Sequence, residues 1–169
     1  NIPLYCSNIA LVENGVATVA AVGIGKTGEI LHAEKGAGAW KTDASGERRI
    51  SVSDRSNTIW IDGRTEQTAD VVRQAKRMER WYVWMFSSTV SWAYLACGQI
   101  AGIIQLGMPS NVRHGSVHTT AGCLVASEAG AIVTDAFTGQ PWNLQTHSYL
   151  IAATPELHRE LGSLIDSSS

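Results

Sequence analysis

The apolar pattern of the chain changes its period near residue 58, and this change constrains the fold more than any other feature. Before it, only short strand-like runs occur, each closed by turn residues. Pro3 to Val12 and Val16 to Ile24 flank Asn14-Gly15, a dipeptide that tolerates positive φ at both positions and so favours a two-residue hairpin. Glu29 to Ala33 follows the turn Lys26-Thr27-Gly28, and Asp43-Ala44-Ser45-Gly46 precedes Arg48 to Val52. After it, strand and helix patterns alternate. Thr58 to Asp62 reads as a strand, and Thr65 as the N-cap of a helix running to about Arg80 with Ala69, Val72, Ala75 and Met78 as its inner stripe. Trp81 to Phe86 reads as a strand, and Val90, Ala93, Tyr94 and Cys97 recur at helical spacing. Ala101 to Leu106 is a strand, a loop runs to about Ser116, and a helix from about His118 to Ala129 closes at Gly130. Ala131 to Thr134 and Ser148 to Ala153 are strands. Thr154 then caps a last helix with Pro155 at its first position and Leu157, Leu161, Leu164 and Ile165 on one face. The expected architecture is a layered α/β (α+β) fold, with residues 1–57 in an antiparallel sheet region and residues 58–169 in a mixed-sheet α/β subdomain.

Composition narrows the function. The 169 residues are 44% hydrophobic and 17% charged, enough apolar mass for a packed core, which argues against disorder. A net charge of -2 without a basic cluster gives no electrostatic footprint for nucleic acid. No apolar run approaches the roughly 20 residues needed to cross a bilayer, so no membrane span is expected and a cytoplasmic protein is. Cys6, Cys97 and Cys123 are odd in number, widely spaced and set among apolar neighbours, which suits reduced buried thiols. The chain opens on Asn1 and runs almost at once into a strand, so a fragment of a longer protein is expected.

One segment carries more information than the rest. His118-Thr119-Thr120-Ala121-Gly122 opens a helix that closes with Glu128-Ala129-Gly130 and feeds a strand ending at Asp135. This resembles the C-terminal signature of the inositol monophosphatase family, in which Trp-Asp-x-Ala-Ala-Gly opens the helix and Glu-Ala-Gly-Gly ends it. The resemblance extends upstream: Ser7-Asn8-Ile9-Ala10-Leu11-Val12 is similar to a Ser-Ile-Ala-Leu-Val strand of the family, and Ala33 to Trp40 to its Ala-x-x-Gly-x-Gly-Ala turn. Downstream, Leu150 to His158 is similar to its terminal strand and helix. Nearly the whole chain is covered, in the family's order.

The resemblance implies the inositol-monophosphatase-like sugar phosphatase fold and a Mg²⁺-dependent phosphomonoesterase. Its substrate would be a small phosphorylated polyol, sugar or nucleotide, its metal carboxylate-held, and its assembly a homodimer. The family's Glu-Glu element and Asp-Pro-Ile/Leu-Asp-Gly-Thr loop are not visible in this sequence. Asp62-Gly63 lacks the Asp-Pro step and reads as an ordinary turn. Where the family places an Asp at the start of the helix, this chain has His118, preceded by Val117 instead of Trp. An imidazole there would weaken a magnesium site or favour a transition metal, and it serves equally as a polar residue capping the helix. His114 lies four residues earlier and could share a metal if both lay on one helix, but Gly115 stands between them. On the substrate side, Ser87 and Ser88 match the family's Gly-Thr/Ser-Ala-Ala helix start, and Gln105 stands where the family has a carboxylate before a later Gly. The two serines offer hydroxyls and helix-start amides to a phosphate, or act simply as caps.

Other motifs are weaker. Gly23-Ile24-Gly25-Lys26-Thr27 has the letters of a phosphate loop but the wrong spacing, with a hairpin after it instead of a helix. Trp81, Trp84 and Trp92 read as core mass, Trp142 as loop packing, and Glu128 as a packing or capping residue. Three functions therefore stand at this point. They are a metal-dependent phosphatase whose catalysis is incomplete or impaired in this chain, a non-catalytic relative acting as a binding or assembly module, and a repurposed site holding a transition metal through His118 and His114.

Overall fold

The computed structural model describes residues 5–63, 66–83, 88–107 and 115–167, with backbone alone at residues 88 and 115–117. Its elements stack in four layers: a sheet, a pair of helices, a second sheet and a second pair of helices. The first sheet is an antiparallel meander of β1 (Cys6–Glu13), β2 (Val16–Ile24), β3 (Ile30–Glu34), β4 (Gly38–Asp43) and β5 (Gly46–Ile50), in that spatial order. The second contains β6 (Thr58–Gly63), β7 (Trp81–Val83), β8 (Gly102–Leu106), β9 (Ile132–Asp135) and β10 (Tyr149–Ala152), in the order β7-β6-β8-β10-β9. There β6 runs parallel to both β7 and β8, and β10 runs antiparallel to β8 and β9. The helices are α1 (Glu66–Ala75), α2 (Ser88–Ala96), α3 (Gly115–Glu128) and α4 (Pro155–Asp166).

The helix pairs differ because their surroundings differ. Helices α1 and α4 cover only the outer face of the second sheet, so each has one buried stripe. In α4 it is Leu157, Leu161, Leu164 and Ile165, as its sequence indicates, and Thr154 Oγ1 accepts from the Leu157 amide as the N-cap. Helices α2 and α3 lie between the sheets and are apolar all round. Val90, Ala93, Ala121, Leu124 and Val125 pack on the first sheet with Ala20, Val22, Leu31 and Ala39. Trp92, Leu95, Cys123 and Ala126 pack on the second with Trp60, Ile103, Tyr149 and Ile151. Burial of this kind, at about 25 cal/mol per Å² of apolar surface, is the main force holding the layers together.

Several boundaries move from the sequence expectation. The stretch Gly38–Asp43 is a full strand, its polar Lys41 and Asp43 engaged in ion pairs with Glu29 and Arg48. Helix α1 stops at Ala75, five residues before Arg80, and buries Thr68, Val71 and Ala75. Of the expected stripe, Ala75 is buried and Val72 and Met78 pack partly against the same core, whereas Ala69 is exposed and Thr68 and Val71 take up the buried face in its place. Cys97 lies beyond the end of α2, and α3 begins three residues before His118. The hairpin at Asn14-Gly15 forms as its sequence dictates, with φ of 52° and 79°. All three cysteines are free thiols, but only Cys123 is fully buried as expected, while Cys6 and Cys97 are half-buried. No described helix is long and apolar enough to cross a membrane.

Candidate functional site

Helices α2 and α3 run parallel, and their starts meet. The Thr89 hydroxyl, at the second position of α2, donates to the backbone carbonyl of His118, at the fourth position of α3, at 2.7 Å. One turn further along, Gly122 lies against Trp92 so closely that a Cβ on it would come within 3.1 Å of the indole ring. This glycine is therefore what allows the two helices to approach. Side-by-side parallel helices direct both macrodipoles the same way, so the first-turn amides of α2 and α3 present partial positive charge to one region.

That region lies beyond the carboxyl ends of the parallel strands. Strand β7 leads to the start of α2 and strand β8 to the start of α3, which places both helix starts at the end of the second sheet marked by Asp62-Gly63 and Leu106-Gly107. In open α/β sheets ligands bind at this end. Gln105 pairs across the ladder with Asp62 and is 2% exposed, so its uncharged amide is built into the wall. Gly63 makes the strand end compact. A Cβ there would meet Thr68 Oγ1 at 2.1 Å and the Leu106 carbonyl at 2.7 Å, so no larger residue fits without moving the backbone.

Behind the helix starts sits a hydrogen-bonded support. Tyr149 Oη lies 2.8 Å from Thr119 Oγ1 and donates to the Thr146 carbonyl at 2.6 Å, and its ring meets Trp92 edge to face with centroids 5.0 Å apart. Burial pushes the Tyr149 phenol and the Cys123 thiol well above their ordinary ranges, so both stay neutral and neither serves as a nucleophile. On the loop side, the Gly107 amide donates to Ser148 Oγ at 3.0 Å. At the other end of α3, both Glu128 carboxylate oxygens accept backbone amides, from Gly36 at 2.8 Å and from Gly38 at 2.9 Å. The carboxylate thereby fastens the β3–β4 turn to the helix.

Of the residues singled out in the sequence, Gln105 and His118 are brought to this end of the molecule. The His118 side chain is exposed. Ser87 and His114 lie outside the described residues, and Ser88 is described only as the first residue of α2. Among the described residues no group of three or more His, Cys, Asp or Glu side chains could hold a metal ion. Mg²⁺ demands near-octahedral oxygen ligation, commonly through one or two carboxylates plus water and substrate, and the described donors at this end, the Gln105 amide, the His118 imidazole and the single Asp62 carboxylate, do not make up a set that fits it. Sequence reasoning missed Thr89, Thr119 and Tyr149. The bond from Thr89 to His118 and the contact between Thr119 and Tyr149 span 29 and 30 positions of chain, a separation that leaves no local signal.

The sequence model of the Inositol monophosphatase family matches residues 1–169. The chain is 28% identical over 156 residues to a fructose-1,6-bisphosphatase/inositol-1-monophosphatase of Thermotoga maritima, covering 89% of this chain and 56% of that relative. Its fold is similar to that of a Thermotoga maritima IMPase, with a TM-score of 0.84 and 21% identity over 98% of this chain and 62% of the other. It is likewise similar to Mycobacterium tuberculosis SuhB, with a TM-score of 0.79 and 21% identity over 99% and 66%. The chain thus spans between about half and two thirds of the length of these relatives.

Proposed function

The chain belongs to the inositol monophosphatase family, and from that premise we propose that it serves the hydrolysis of a small phosphomonoester, a phosphorylated polyol, sugar or nucleotide. The observation that carries this reading is the Thr89 bond to the His118 carbonyl, which holds two helix starts together at the carboxyl end of a parallel strand pair. Amides of the two first turns would hold phosphoryl oxygens, and the paired dipoles would favour the charge that develops on them. Gln105 would orient a substrate hydroxyl by hydrogen bonding without adding charge. Family members generally use Mg²⁺, which when bound activates water and stabilises phosphoryl oxygen charge. The described residues do not by themselves supply the ligands of that ion. A homodimer in a cytoplasmic setting belongs to the same proposal.

A second reading, a phosphate-binding relative without turnover, is favoured by the exposed imidazole of His118 at the helix start where the family has a carboxylate. Two measurements separate the readings. Inorganic phosphate should bind the purified chain saturably and shift the amides of Thr89 and His118 in NMR spectra. Phosphate release from inositol 1-phosphate, a sugar phosphate or a nucleotide, assayed with Mg²⁺ supplied, should be detectable, and Thr89→Val should lower kcat/KM about tenfold. Binding without release on any of the three establishes the binding relative. Neither binding nor release overturns both readings.

A further inference from the structure

Tyr149 meets three parts of the candidate site at once. It is the first residue of β10, where it pairs with Gln105 on β8 and with Asp135 on β9. Directly opposed residues of a ladder share a face, so the Tyr149 ring stands beside the Gln105 side chain, on the side turned to α2 and α3. There the ring meets Trp92 of α2 edge to face, and the hydroxyl meets Thr119 of α3. Tyr149, Trp92 and Thr119 are all buried. Thr119 directly follows His118, whose carbonyl takes the Thr89 bond, so the Tyr149 contacts reach both helix starts.

A proton count gives the direction of the bonds. A phenol has one hydrogen, and Tyr149 Oη gives it to the Thr146 carbonyl at 2.6 Å. In the 2.8 Å contact the Thr119 hydroxyl is therefore the donor and Tyr149 Oη the acceptor. The pose of Trp92 carries a cost of its own. Its indole Nε1 is buried with no hydrogen-bond partner among the described residues. A donor left so is destabilising, and the ring keeps its place because packing against Gly122 and Tyr149 outweighs that loss. Local departures of this kind, compensated by their surroundings, are expected where a site needs a fixed geometry.

We propose that Tyr149 is a positioning residue: it holds the starts of α2 and α3 and the Gln105 wall in one arrangement, and the affinity of the paired helix starts for phosphate depends on its hydroxyl. This role rests on the reading of those helix starts as the phosphoryl site. Tyr149 itself touches no substrate. It acts through Trp92 on one helix and through Thr119 on the other.

The test is the affinity of the folded full chain for inorganic phosphate, followed at the Thr89 and His118 amides. Tyr149→Phe keeps the ring on Trp92 and removes the hydroxyl, and Thr119→Val removes the donor. Each should weaken phosphate about fivefold, as the loss of one neutral hydrogen bond would. The double variant should bind no more weakly than Tyr149→Phe, because the two changes break a shared contact, and Thr119→Ser should keep the wild-type affinity. Leu164→Val in α4, on the far face of the second sheet, should lower the urea midpoint and leave phosphate affinity unchanged. Should Tyr149→Phe not fold, Thr119→Val against Thr119→Ser decides alone. Wild-type affinity in the hydroxyl-deleted variants, with only the urea midpoint lowered, overturns the proposal and leaves the functional reading standing. So do additive losses in the double variant, or an equal loss in Leu164→Val. No phosphate binding by the wild type overturns the functional reading, and this role with it.

Discussion

The two sheets are built to different standards of closure. The second is covered on both faces, by α2 and α3 on one side and by α1 and α4 on the other, and Trp60, Ile103, Ile104 and Ile151 in its strands have no more than 1% exposure. The first is covered by α2 and α3 on one face only. On the other, Ile9 is 72% exposed, Leu11 54% and Val19 45%. Alternation along β1 and β2 explains this, since a strand's side chains go to the two faces in turn and both sets here carry apolar residues. A sheet apolar on both faces reads as an interior sheet, yet none of the described elements covers its second side. Stability therefore concentrates in the layer that holds the helix starts, where positional precision is needed.

The largest effect expected from this contrast compares two apolar truncations. Trp92 is 1% exposed between Gly122, Tyr149 and Leu95, and Trp92→Ala should cost about 3–5 kcal/mol in urea unfolding. Ile9→Ala on the open face should cost less than about 0.5 kcal/mol. A large loss from Ile9→Ala would mean that this face is covered in solution, and the contrast would fail.

The sequence made the first sheet legible at its turns and the second at its periods. Asn14-Gly15 specified its hairpin because positive φ leaves few residue choices, and Thr154-Pro155 specified α4 because cap and fixed φ act within one turn. Helices α2 and α3 kept their place but not their stripes, since a helix packed on two sides has no polar face to mark it. Strand β4 went unread because Lys41 and Asp43 look like turn residues until Glu29 and Arg48 arrive from neighbouring strands. At the site, Gln105 and His118 could be named from the family resemblance, whereas the tie between Thr89 and the His118 carbonyl joins distant segments and could not.

A smaller effect tests how the incompletely covered sheet is fastened. The Glu128 side chain of α3 bonds the first sheet's turn through two charge-assisted amide contacts. Glu128→Ala should cost about 1–2 kcal/mol and speed amide exchange at Gly36 and Gly38, with exchange in β8 and β10 unchanged. Uniform acceleration across both sheets would show that they open as one unit.

The smallest effect is a difference in pH window. In the second sheet's outer layer, burial holds the His158 imidazole below its ordinary value of 6.5, with Nε2 lying 2.9 Å from Thr134 Oγ1. The unfolded chain then binds the proton more readily, so this contribution is present in full above about pH 6.5 and is lost as pH falls toward the lower folded value. In the first sheet the shifted acids are Glu29, lowered chiefly by its hydrogen bond from Lys41, and Asp43, lowered chiefly by Arg48. Depressed carboxylates contribute stability above their unfolded values of 4.5 and 3.8, and lose it only at still lower pH. His158→Gln should therefore flatten the urea midpoint between about pH 7 and about pH 5 and leave the steeper acid loss below about pH 4 in place. Parallel loss in wild type and variant across the upper window would remove His158 as its cause. The two sheets would then share one acid response, carried by the Glu29, Lys41, Asp43 and Arg48 network.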